Sequence, residues 1–197
     1  MSTATPYSPP PLLTITGHYR FTPDTYHTLR GQEDFQDCEP FELLEGYLVL
    51  TKSRHPTRIA GVCRIANRTQ MHLPVGWYLH VQLPVSLGMS APEPDVGIVR
   101  RDERLPNAAD FGIVIEVSDS SLDFDRRDKG RIYARAGIPV YWIVNVVDRQ
   151  IEVYTNPDPA ANPPEYTASA IYLPGQSVPL MLDGIAVGAI PVSEFIA

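Results

Sequence analysis

Apolar and polar residues repeat along this chain with two periods, and the changes of period mark its elements. Over residues 56 to about 70, Ile59, Val62, Cys63 and Ala66 recur at i, i+3, i+4 and i+7. That spacing predicts a helix with this stripe inward and Arg58, Arg64 and Arg68 on the opposite side. Lys129, Ile132, Tyr133 and Ala136 recur in the same way, predicting a helix from about 122 to 136. Ser120 or Ser121 can cap it, and Gly137 followed by Pro139 stops it. A shorter helix starts at Thr22-Pro23-Asp24, a cap, a first-turn proline and an acid suited to the helix dipole, and ends at Gly31. Two short apolar runs flank Glu45-Gly46 and predict a β-hairpin. Strand-like runs follow at 77–83, 95–100, 112–118, 140–147 and 150–155, the last two joined by a turn at Asp148-Arg149. From about 156 the chain is rich in Pro and Gly, which predicts short strands and loops and no helix of any length.

This order predicts an α/β (α+β) fold, a mixed central sheet flanked by helices. At 197 residues the chain is long enough for one domain, residues 18–197, behind an extended arm at 1–17 that contains Tyr7-Ser8-Pro9-Pro10-Pro11. Twenty prolines oppose a long-helix bundle. Apolar runs such as 140–147 are too short to span a bilayer, and the N-terminus has no secretory-signal pattern. Cys38 and Cys63 make no disulfide framework and no C-x-x-C, so a reducing cytoplasm is expected. A net charge of −7 excludes polyanion binding by bulk charge, though not by a local patch.

Three residues resist a simple packing explanation. Asp95 opens an apolar strand after Pro94, and Glu116 sits inside Ile113-Val114-Ile115-Glu116-Val117, where a charge is expensive unless paired or metal-bound. Lys129 leads the inward stripe of its helix, one turn after Asp125, with which it can pair. Each also has a plainer reading: Asp95 as a turn cap, Glu116 on a half-exposed edge strand, Lys129 snorkelling past the core toward Asp125. Together they make a kit. Two carboxylates suit Mg²⁺ or Mn²⁺, a bound metal lowers the pKa of water, and a lysine steadies charge on a phosphate.

Asp95 in Glu-Pro-Asp, Glu116 in Ile-Glu-Val-Ser and Lys129 thirteen residues later resemble the PD-(D/E)XK nuclease signature. The chain resembles the Uma-two family of restriction-endonuclease-like proteins more fully. The segments that carry this are Phe41-Glu42-Leu43-Leu44-Glu45-Gly46, Val81-Gln82-Leu83-Pro84, Pro92-Glu93-Pro94-Asp95-Val96, Glu116-Val117-Ser118-Asp119-Ser120-Ser121 and Tyr133-Ala134-Arg135-Ala136-Gly137-Ile138-Pro139-Val140-Tyr141-Trp142. The resemblance implies a restriction-endonuclease-like fold, hydrolysis of DNA phosphodiesters by a metal-activated water, and a homodimer. It implies Asp95 and Glu116 as metal ligands, with Lys129 replacing the lysine expected at Ser118. It implies that Glu42 completes the acidic site, ahead of Glu45 in the turn, and that Gln82 positions water or metal. The family's histidine after the hairpin has no counterpart at its own position, where Arg58 stands; His55 lies three residues earlier.

Between Glu45 and Glu93 there is no acidic residue, whereas Lys52, Arg54, Arg58, Arg64 and Arg68 fall there. This run predicts contact with the DNA backbone, with no base-reading motif and no stacking platform. A catalytically inactive nuclease-like fold serving as a binding or assembly module is the competing reading, and a metal-free carboxylate-pair glycosidase is a weaker third. No P-loop, Rossmann glycine pattern or G-x-S-x-G is present, so no nucleotide cofactor is expected.

Overall fold

The computed structural model describes residues 19–36, 40–50, 56–100 and 106–196. The Pro-rich arm, Cys38, Lys52, Arg54 and His55 lie outside them. Helix α1 (Pro23–Arg30) has the expected ends: the Thr22 side chain accepts from the Thr25 N–H and Gly31 caps the C-terminus. After the short α2 (Glu33–Gln36), strands β1 (Phe41–Leu44) and β2 (Tyr47–Leu50) form the predicted hairpin. Its turn residues Glu45 and Gly46 have φ of 50° and 84°, as a two-residue hairpin loop requires.

Helix α3 (Pro56–Gln70) precedes β3 (Tyr78–Val81) and β4 (Val96–Val99). A short 3₁₀ turn (Ala108–Asp110) leads into β5 (Phe111–Ser118). The helical stretch after it has three parts: α4 (Leu122–Phe124), a π-turn (Asp125–Lys129) and α5 (Gly130–Arg135). Strands β6 (Val140–Asn145), β7 (Gln150–Asp158) and β8 (Glu165–Tyr172) complete a six-stranded sheet in the order β3-β4-β5-β6-β7-β8. Only β5 and β6 are parallel, so the central sheet is mixed. A second hairpin, β9 (Ser177–Leu182) with β10 (Ile185–Pro191), and α6 (Val192–Phe195) end the described chain.

Alternation along β5 sends its side chains to both sheet faces, where they meet different partners. Ile113, Ile115 and Val117 join Trp142, Val62 and Ile65 of α3, and Leu180 of β9 in one core. Val114 joins Ile132 and Tyr133 of α5, Tyr141 and Ile143 in a second core. Glu116 occupies the second face, fully buried.

The inward stripe of α3 differs from the expected one. Ile59 and Cys63 are exposed, whereas Val62, Ile65 and Thr69 are buried. The helix is thus rotated about one residue from the apolar maximum, which brings Arg58, at i−4 from Val62, onto the inner side.

Candidate active site

The amino end of β4 and the carboxyl end of β5 meet at one end of the sheet. Val96 lies opposite Ile115, so the next residues along, Asp95 and Glu116, are brought side by side. β1 adds Glu42 and the π-turn adds Lys129. All four residues are at least 97% buried.

Lys129 is the hub of this cluster. Its Nζ lies 2.9 Å from Glu116 Oε1 and 3.1 Å from Glu42 Oε1. Burial alone would favour the neutral amine; Glu116, Glu42 and Asp125 outweigh it and raise the pKa, so Lys129 is an ammonium at neutral pH. The Tyr133 hydroxyl, one turn further along, donates to Glu116 Oε1 at 2.8 Å. Burial first, then the charges of Glu116 and Glu42, hold that hydroxyl protonated. The sequence marks Tyr133 only as part of an apolar stripe; its place four residues after Lys129 on the same face is the signal for its role.

Asp125 is buried, and its Oδ2 accepts from Ser118 Oγ at 2.7 Å and Ser121 Oγ at 2.8 Å. It also raises the pKa of Lys129, as its expected proximity requires. Ser118, at the signature's lysine position, therefore points into the cluster as a donor.

Asp95 Oδ2 accepts from the Val117 N–H at 2.8 Å. Both oxygens of Asp95 also accept from Arg58 Nη2, at 2.7 and 2.6 Å. Arg58 was expected on an outer basic face. The rotation of α3 instead places its guanidinium inside, with 11% of the side chain exposed. Arg64 is half-buried beside it, and Arg68 is exposed with Nε 3.3 Å from Glu194 Oε2.

Glu42 is fixed from behind. Its Oε2 accepts from the Glu93 N–H at 3.0 Å, and Glu93 pairs with Arg30 of α1. Tyr26, also on α1, has its hydroxyl 3.1 Å from Glu93 Oε1 and 3.0 Å from Phe41 O. Gln82 is half-buried with φ of 48°; its backbone N–H, rather than its side chain, bonds the carbonyls of Pro94 and Asp95 at 3.1 and 3.3 Å. Glu45 lies apart, paired with Arg135.

Formal charge describes what such a site can hold. Four buried carboxylates (Glu42, Asp95, Glu116 and Asp125) face two cations, Arg58 and Lys129. The excess of two negative charges in a low-dielectric interior is costly unless it is balanced. The donor set is all oxygen, which suits a hard divalent cation that keeps several waters. Among the described residues no three His, Cys, Asp or Glu side chains form a ready-made cage for a metal ion.

Comparison with known proteins gives the family and the fold. A family model, Uma2, described as "Putative restriction endonuclease", matches residues 23–188. A crystal structure of "a putative nuclease belonging to DUF820" from Anabaena variabilis ATCC 29413 has a similar fold, with a TM-score of 0.62 at 13% identity over 89% of this chain and 97% of that one. No curated protein matches the chain.

Proposed function

Since the chain belongs to the Uma2 family, described as "Putative restriction endonuclease", we propose that it is a Mg²⁺- or Mn²⁺-dependent endonuclease of the PD-(D/E)XK type, cutting DNA at the buried carboxylate cluster. One observation carries this reading: Asp95, just before β4, and Glu116 of β5 lie side by side, with the Lys129 ammonium 2.9 Å from Glu116. Asp95 and Glu116 would hold the cation, with Glu42 and Asp125 adding negative charge behind them. A divalent cation bound there lowers the pKa of a water and stabilises charge on a phosphate oxygen.

The chain's own residues do the rest. Lys129, held protonated, is a poor proton acceptor and a good partner for an anion, so its role is to steady negative charge developing on the phosphate. Tyr133 fixes the Glu116 carboxylate by donating to one oxygen. Ser118 and Ser121 hold Asp125 in the same way. Gln82 sets the backbone course of Pro94-Asp95. The DNA backbone would lie along the arginines of α3. The exposed free thiol of Cys63 suits a reducing cytoplasm. No helix among the described residues is long and apolar enough to cross a membrane. The homodimer implied by the resemblance belongs to the proposal, and sedimentation velocity checks it.

Nicking of supercoiled plasmid tests the activity. Wild-type protein should nick in Mg²⁺ or Mn²⁺ and stop on addition of EDTA. Glu116→Gln and Asp95→Asn, checked for folding by circular dichroism, should each lose at least about 100-fold. Wild-type protein inert with either metal, or a Glu116→Gln variant that nicks normally, would sink the proposal. One observation favours a second reading, an inactive fold used for binding or assembly: Arg58 already covers both oxygens of Asp95.

A further inference from the structure

Arg58 competes with any cation for Asp95. Its Nη2 is within 2.7 Å of both carboxylate oxygens, so a second positive charge there meets its repulsion and must share or take over its acceptor sites. Yet the guanidinium is not saturated. Its Nη1 is buried and has no hydrogen-bond partner among the described residues. A buried donor left unmade is costly and favours an acceptor that would complete it.

Space for such an acceptor adjoins it. A mainly apolar cavity of about 380 Å³, walled by Ile65, Val117, Val144 and Phe195 among others, has Arg58, Arg64 and Asp119 as its charged lining. Two arginines of α3, six residues or about one and two-thirds turns apart, thus line one cavity. The first turn of α3 carries no acidic residue, so the positive end of the helix dipole is not offset there. A phosphate diester in this cavity offers Arg58 what Asp95 offers it, an anionic pair of oxygens with matching geometry. Exchange of one anion for another costs little net, which is what a switch requires.

We propose that Arg58 is a phosphate-released latch: it closes Asp95 until a DNA phosphate enters the adjoining cavity and draws the guanidinium away, so that metal binding waits for DNA. This rests on the nuclease reading above. It makes Arg58 a positioning residue that couples two binding events, and by linkage the coupling is reciprocal. Metal should therefore tighten DNA binding by the same factor by which DNA tightens metal binding.

Calorimetric titration with Mn²⁺ on the full chain tests it, with and without a short phosphorothioate duplex. For the wild type, the duplex should tighten Mn²⁺ binding at least about 10-fold. Arg58→Gln should bind Mn²⁺ without DNA at least about 10-fold more tightly than wild type, and the duplex should add little. Asp95→Asn should abolish both. If wild type and Arg58→Gln bind Mn²⁺ equally without DNA, and the duplex changes neither, the latch is wrong while the metal-nuclease reading survives. If neither binds Mn²⁺ under any condition, both are wrong. A wild-type Mn²⁺ affinity that the duplex leaves unchanged overturns the latch even if the Arg58 variant fails to fold.

Discussion

Lys129 is held by what surrounds it rather than by what it is. An ammonium that is 3% exposed would ordinarily lose its proton, but Glu116 and Glu42 sit at 2.9 and 3.1 Å and keep it. The converse also holds: the carboxylates are tolerable only because the ammonium is there. Lys129→Met should therefore cost about 3–5 kcal/mol, since removing one partner leaves buried charge uncompensated. Urea unfolding would show this, and adding Glu42→Gln to Lys129→Met should recover part of the loss. A Lys129→Met protein with an unchanged urea midpoint would mean that the ammonium does not hold the carboxylates together. Asp95, Glu116 and Lys129 were visible in the sequence because each is a charge placed where a pattern calls for an apolar residue. Arg58 was misplaced for the opposite reason. It sits among several arginines, and the apolar count of α3 points to Ile59 and Cys63, which face outward. The buried face carries Val62, Ile65 and Thr69 instead, and Arg58 beside them meets Asp95, 37 residues away in sequence, a pairing that no local period encodes.

The element that aims Lys129 is the π-turn. The Gly130 N–H reaches the carbonyl of Asp125, five residues back, and the Tyr141 hydroxyl bonds the same carbonyl at 3.0 Å. Arg126 ties the turn to β7: its Nε and Nη2 donate to Glu152 at 2.9 and 2.6 Å. Burial would raise the Glu152 carboxyl, but hydrogen bonds from Arg126, Asn145, Tyr154 and Gln150 prevail and pull it from 4.5 to about 2. A depressed folded-state pKa contributes stability that is complete above about pH 4.5 and is lost as pH falls toward 2. Glu152→Gln should thus lower stability at pH 7 by about 1.5–3 kcal/mol, the range for hydrogen bonds to a charged group. It should also flatten the acid limb between pH 4.5 and 2. A variant whose melting temperature tracks the wild type across that window would remove Glu152 as the anchor. Helix ends were legible because Thr22 and Gly31 act through their own neighbours. The π-turn was not, because Tyr141 and Glu152 reach it from other strands. Strand β8 falls where short strands are expected, but its bounds are not legible: its alternation is half-exposed and weak, and pairing with β7 completes it.

At the scale of the whole molecule, a chain of net charge −7 must bind a polyanion through one face or not at all. On the nuclease reading, Arg64 and Arg68 of α3 mark that face, with Arg58 turned inward at the amino end of the same helix. Arg58 and Arg68 are ten residues apart, about 15 Å along a helix axis at 1.5 Å per residue. That is the rise of about four base pairs at 3.4 Å each, with Arg58 at the carboxylate end. One end of the helix would therefore hold the phosphate to be cut while the other holds its neighbours. Arg68 shares its charge with Glu194 at 3.3 Å, so it counts for less than a free cation. Binding of a labelled duplex, followed by anisotropy against NaCl in EDTA, should weaken along a log–log slope of about −0.9 per phosphate neutralised. Replacing Arg64 and Arg68 together by alanine should make that slope shallower by about 1–2. Glu194→Gln, which releases Arg68, should move affinity the other way. If both variants kept the wild-type slope, DNA would have to approach by another face, and the carboxylate cluster would then be reached from the side of β1 and α5 instead of along α3.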